Sequence, residues 1–166
     1  SRGLGDLYKR QGYANSDSSY LKDAYYILTP TNETPKEYTL WLKNFIISAG
    51  SHCEIIDYET HDKITAAISH CPHLISASLI NTVANEDSDG SYARLAAGGL
   101  KDITRISSSS PEMWQNICLS NPDAITSFLD KYIGTLTDAK NAVSNRDEDK
   151  LMKIFENAKK YRDNLN

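Results

Sequence analysis

Three of the four histidines fall close together, in His61-Asp62 and in Ser69-His70-Cys71-Pro72-His73. An imidazole can bind a metal, carry a proton near neutral pH, or serve as a polar group inside a core. As ligands, His70 and His73 stand three apart and could share a helical face, with Cys71 or His61 completing the set. As core residues they would bond to backbone or serine oxygens. The sequence holds no HExxH and no CxxC, and Pro72 falls where a ligand set needs fixed geometry, so no metal site is expected. A second group is Gly98-Gly99-Leu100-Lys101-Asp102-Ile103-Thr104-Arg105. Glycines let backbone amides approach a ligand, and the planar guanidinium of Arg105 matches a carboxylate, so this stretch suits a small acid. The other reading is a helix cap followed by a solvated charge cluster. It lacks the order GxxxxGK[ST], which excludes a phosphate P-loop. The third group, Ser110-Pro111-Glu112-Met113-Trp114, starts a helix with Trp114 on its first turn, either in a core or on a ligand wall.

These groups need helices to hold them. Residues 60–85 carry Ile64, Ala67, Ile68, Leu74, Ile75, Leu79, Ile80 and Val83 on nearly every side, which predicts a helix buried all round and kinked at Pro72. Small residues at Ser69, Ser76, Ala77 and Ser78 would admit a neighbouring backbone. A short helix over 92–100 is expected to end in a turn at Gly98-Gly99. Ser110-Pro111 and Asn121-Pro122-Asp123 then read as caps of two further helices. The second carries a stripe of Ile125, Phe128, Leu129, Tyr132, Ile133, Leu136 and Val143. A last helix over 147–165 turns Leu151, Ile154, Phe155, Ala158 and Leu165 inward. Ahead of these, residues 24–29 read as a short strand, Thr34-Pro35-Lys36-Glu37 as a capping box, and Tyr38, Trp41, Leu42, Phe45 and Ala49 as the apolar face of a helix closed by Gly50. Residues 52–57 could form a strand returning to the same sheet. The fold expected is mainly all-α, with one or two short strands near the N-terminus.

Composition narrows the function. Of 166 residues 40% are hydrophobic and 24% charged, an ordinary globular balance, and a chain this long builds a core without staples. The 18 basic against 22 acidic side chains give a net charge of −4, unlike a nucleic-acid surface, so an anionic ligand needs a local cationic cluster. Cys53, Cys71 and Cys118 are odd in number and form no CxxC, as expected of reduced cytoplasmic thiols. No membrane span or signal peptide is read in the sequence.

Taken in order, Tyr26-Ile27-Leu28-Thr29-Pro30, Trp41, Ala49-Gly50, His61-Asp62, Ser69-His70-Cys71-Pro72-His73-Leu74, the segment from Gly98 to Ile106 and Pro111-Glu112-Met113-Trp114 closely resemble the prephenate dehydrogenase family. The resemblance runs from about Gly12 to the C-terminus. It implies a helical dimerisation domain of the kind found at the C-terminus of 6-phosphogluconate dehydrogenase, over residues 35–166, preceded at 12–34 by the end of a Rossmann domain. It further implies NAD- or NADP-dependent oxidative decarboxylation of prephenate to 4-hydroxyphenylpyruvate, for tyrosine biosynthesis, in a cytoplasmic homodimer. By motif match, Arg105 would grip a prephenate carboxylate, His73 and Trp114 would line the pocket, and Gly98 would approach the ligand with its backbone. Lys101 and Asp102 would form a polar gate near the dimer interface.

The departures matter equally. The family's glycine-rich dinucleotide turn is absent, so no NAD or NADP is expected on this chain. The family's catalytic histidine lies in a Gly-Ser-His-Pro segment, where this chain has Gly3, so no catalytic residue is expected within it. Residues 1–11 do not resemble the family and read as a vector-derived or otherwise foreign leader, with the Rossmann domain as the missing partner. The alternatives are arogenate dehydrogenase, whose substrate carries an extra amino group, and a helical dimerisation or metal-binding module without catalysis.

Overall fold

The computed structural model describes Asp17, Ser19 and residues 21–165. The expected leader, and the start of the resemblance at Gly12, lie outside the described residues. Two compact units follow one another, up to Asn121 and from Pro122.

The first unit opens with a parallel strand pair, β1 (Tyr25–Leu28) and β2 (His52–Ile55), joined by helix α1 (Lys36–Ser48). Tyr25 stands opposite His52, their rings stacked at 4.7 Å, and Leu28 opposite Ile55. The sheet expected from residues 24–29 and 52–57 therefore forms, and the expected boundary at 34/35 falls inside this β-α-β unit. The capping box does not form. Pro35 is the N-cap, its carbonyl accepting from Tyr38 and Thr39, while the Thr34 hydroxyl turns back to accept from the Thr31 N–H at 3.1 Å. At the other end Gly50 adopts φ +85°, its N–H donates to the Ile47 carbonyl and the Ser51 N–H to that of Ile46. This six-to-one and five-to-two pair is a Schellman cap. The Ser51 hydroxyl then donates to the Leu21 carbonyl, fixing the entry to β2.

Helix α2 (Tyr58–Thr65) starts at Asp57, whose carboxylate accepts from the Thr60 hydroxyl at 2.7 Å and its N–H at 2.8 Å. Those bonds, the hydroxyl's first, hold Asp57 below the usual carboxylate range. A π-helical turn (Ala66–His70) leads without a break into α3 (Cys71–Glu86). The Cys71 N–H donates to the Ala66 carbonyl, five residues back. The disturbance expected at Pro72 thus takes the form of a widened turn. Burial is one-sided rather than all round: Ala66, Cys71 and Ser76 are buried while Ile68 is 72% exposed. The small residues make the inner face because another backbone comes close, and the Ser76 hydroxyl donates to the Ile103 carbonyl at 3.1 Å.

Helix α4 (Ser91–Leu95) is capped by Asp87, whose carboxylate accepts from the Tyr92 and Ala93 N–H groups. Gly98 and Gly99 begin the next helix, α5 (Gly98–Thr104), instead of ending the previous one. Extended backbone at Ala97 makes the turn, so neither glycine needs positive φ. A 3-10 turn (Arg105–Ser108) leads to α6 (Pro111–Ser120), capped by the Ser110 hydroxyl, which accepts from the Met113 N–H.

The second unit is a hairpin of α7 (Pro122–Ser144) and α8 (Glu148–Arg162). Arg146 at φ +54° makes the turn, and the Asp147 carboxylate caps α8 through the Lys150 N–H. Ile125 and Ala142 are buried, but Ile133, Leu136 and Val143 of the expected stripe are exposed. Phe155 and Leu165, expected inward, are exposed too. Thr126, Thr135 and Thr137 each donate their hydroxyl to the carbonyl four residues back on α7. Among the described residues no helix is long and apolar enough to cross a membrane.

Gly50 has nothing within 4 Å of where a Cβ would stand, so a substitution there meets only backbone strain. Gly50→Ala is expected to cost about 1–2 kcal/mol and to lower Tm by a few degrees, with Gly50→Asn between Ala and wild type because Asn tolerates left-handed backbone. Thermal melting of the three proteins checks the order.

Candidate functional site

The site is built where the π turn meets α3. One extra residue in a turn rotates the remainder of the helix by roughly 100°, so His70 and His73 take their places on the face set by that insertion. His73 lies flat against Trp114 of α6, ring centroids 3.6 Å apart and planes 22° apart. His70 meets the same indole edge-on at 6.4 Å and 74°. Trp114 is thus clasped by both histidines of the Ser-His-x-Pro-His segment. Its indole N–H is buried and has no hydrogen-bond partner among the described residues.

Each imidazole is held from behind. His73 Nδ1 lies 3.0 Å from the Ser69 carbonyl, and His61 Nδ1 lies 3.0 Å from the Asp62 carboxylate. His70 Nδ1 faces the Asn121 amide nitrogen at 3.4 Å. Burial pushes the His70 pKa down, Asp62 opposes this, and His61 and His73 add to it. Burial therefore favours the neutral ring of His70. The thiols of Cys71 and Cys118 are both pushed above their ordinary values, mainly by burial, so neither is a ready nucleophile. No three His, Cys, Asp or Glu side chains among the described residues converge as a metal site.

The residues read from the glycine segment lie together on α5 and the turn after it. Gly98 opens α5, and a Cβ there would stand 3.8 Å from an Asp102 carboxylate oxygen. Lys101 lines a groove of about 200 Å³ with Ile80, Val83, Asp87, Ala93 and Leu100. Arg105 is exposed and makes no ion pair among the described residues, leaving its guanidinium open to a ligand. The bond from Ser76 to the Ile103 carbonyl ties this segment to α3, three residues after His73. His73 and Trp114 are in direct contact, while Gly98, Lys101, Asp102 and Arg105 form the neighbouring group.

Asn121 was missed by sequence reasoning as a member of the site. Its place before Pro122 reads as a helix cap, yet its side-chain nitrogen donates to the Asp62 carbonyl at 2.8 Å. A buried Asn, 8% exposed, requires such partners, but nothing in its sequence neighbourhood names a residue 59 positions away.

Comparison with known proteins gives this arrangement a family. Residues 57–157 match the family model described as prephenate dehydrogenase, dimerization domain. Prephenate dehydrogenase of Bacillus subtilis is 39% identical over 157 residues, covering 94% of this chain and 42% of that protein. Cyclohexadienyl dehydrogenase of Zymomonas mobilis is 33% identical, covering 82% and 47%. Among solved structures, prephenate dehydrogenase from A. aeolicus in complex with hydroxyphenyl propionate and NAD+ superposes with a TM-score of 0.80 at 27% identity, covering 86% of this chain and 50% of that one. Synechocystis arogenate dehydrogenase gives 0.80 at 28%, covering 86% and 52%. The chain thus spans about half the length of the relatives it matches. It belongs to the prephenate dehydrogenase family, whose dimerization-domain model matches residues 57–157.

Proposed function

We propose that this chain supplies the substrate pocket and dimer interface of an enzyme that oxidatively decarboxylates prephenate to 4-hydroxyphenylpyruvate. The observation that carries the reading is the His73–Trp114 stack, with the guanidinium of Arg105, which has no ion pair among the described residues, on the segment tied to the same helix. Prephenate is a dianion with a ring. A guanidinium fork takes a carboxylate through two parallel hydrogen bonds, and a flat aromatic wall takes the ring edge. Gly98 lets the ligand approach backbone, and Lys101 with Asp102 form a polar gate near the interface. This chain's part in the reaction is to bind and orient the dianion.

The described residues do not fit a dinucleotide. The loop from β1 to α1, residues 29–35, holds two prolines and no glycine, and Pro35 brings no N–H to the helix start where a pyrophosphate would sit. The NAD+ named for the A. aeolicus relative therefore supports a cofactor in a longer enzyme, with its cradle outside these residues. The β-α-β unit is proposed as the end of that nucleotide-binding domain. The likeness to the Synechocystis enzyme supports arogenate as a second substrate reading, which parallel assays with the two acids separate.

The exposed apolar side chains of the α7–α8 hairpin, Ile133, Leu136, Val143, Met152 and Phe155, support a homodimer. Light scattering of the chain is expected to give twice the mass of one copy; a monomer mass overturns it. In a full-length enzyme carrying this domain, Arg105→Lys keeps the charge and loses the fork. It is expected to lower kcat/KM for prephenate by roughly ten- to a hundredfold at unchanged Tm. Kinetics and melting on one preparation test this: unchanged kcat/KM, or activity lost only in step with stability, removes Arg105 from the site.

A further inference from the structure

The Asn121 side-chain nitrogen lies 2.8 Å from the Asp62 carbonyl oxygen and 3.4 Å from His70 Nδ1. A backbone carbonyl only accepts, so the amide must turn its nitrogen towards Asp62, and that choice of face is not free. The same NH₂ group then directs its second hydrogen at His70 Nδ1. That nitrogen must carry a lone pair, which leaves the ring proton on Nε2. His73 is the opposite case. Its Nδ1 faces the Ser69 carbonyl at 3.0 Å, so Nδ1 holds the proton, and in the neutral ring Nε2 holds the lone pair.

We infer that Asn121 is a positioning residue for the Trp114 wall, holding His70 as the neutral Nε2–H tautomer opposite to that of His73. The wall then offers one ring donor and one ring acceptor on adjacent turns, both against the same indole. This rests on the reading of His73 and Trp114 as a substrate wall. Asn121 also opposes charging of His70, because an imidazolium would set N–H against N–H. Of the titratable groups around His70, His61 and His73 work in the same direction and Asp62 against it.

Histidine ¹⁵N spectra of the full chain at neutral pH test the assignment. The expected result is a non-protonated Nδ1 on His70 and a non-protonated Nε2 on His73; a protonated Nδ1 on neutral His70 overturns the inference whatever any variant does. Asn121→Asp replaces the donor by an acceptor of the same shape, so the His70 proton should move to Nδ1 while His73 is unchanged. If that variant does not fold, Asn121→Ala replaces it: the His70 titration should shift upward, and an unshifted titration overturns the inference. In the full-length enzyme the folded variant should lose about tenfold in kcat/KM for prephenate at unchanged Tm. A flipped tautomer with full activity overturns the positioning role. Arg105→Lys keeps the two failures apart: if it is silent, the substrate reading has failed; if it is damaging while the Asn121 variants are silent, only this inference has.

Discussion

Pro72 has no backbone N–H, and in an ordinary α-turn its ring would strike the carbonyl of Ile68, four residues back. The chain answers with the π turn at Ala66–His70, where the Cys71 N–H reaches back five residues instead of four. The helix continues, but everything after the turn is rotated relative to everything before it. His61 and Asp62 lie on one side of this discontinuity, His70 and His73 on the other. The Asp62 carbonyl, one turn ahead of it, accepts from the Thr65 hydroxyl and from Asn121 as well as from the Ala66 N–H. That oxygen joins the start of the helix to the end of α6, and Trp114 is brought against the imidazoles from the same direction. Without the proline, an unbroken α-helix would present the two histidines to a different neighbour.

The molecule is divided between a well-tied polar site and loosely covered apolar faces. His61, His70 and His73 each have a defined partner, and burial pushes the His70 pKa down and both thiols up. On α1 the opposite holds: Trp41 and Phe45 stack on each other at 5.8 Å, yet Trp41 is 66% exposed. Two parallel strands with one crossover helix rarely stand alone, because a parallel sheet wants cover on both faces.

How far the sequence could be read depends on the range of the forces involved. Gly50, Ser110 and Asp147 act within one turn, and such local chemistry is visible in a few residues. β1 was legible from an aromatic and β-branched run that stops at Pro30, and β2 from a short alternating stretch after the helix. The failures share a cause. Thr34 and the Gly98-Gly99 pair each have a local role available that a competing partner or turn displaced: Thr31 took the hydroxyl and Ala97 made the turn, while the bonds of the Asn121 amide to Asp62 and His70 join residues far apart in sequence. The all-round burial of α3 failed for a different reason. Apolar residues on every side of a helix say that it is covered in the end, not that its own chain does the covering.

The threonines of α7 bear on how that helix can be packed. Thr126, Thr135 and Thr137 spend their hydroxyl protons on their own helix, bonding the carbonyl four residues back. To a surface laid against it, each presents a methyl group and an oxygen whose donor is already satisfied, so it packs much like a valine. A neighbour can close over any of these three positions without stranding its hydroxyl donor, so a position that looks polar in composition is sterically and energetically a dry one.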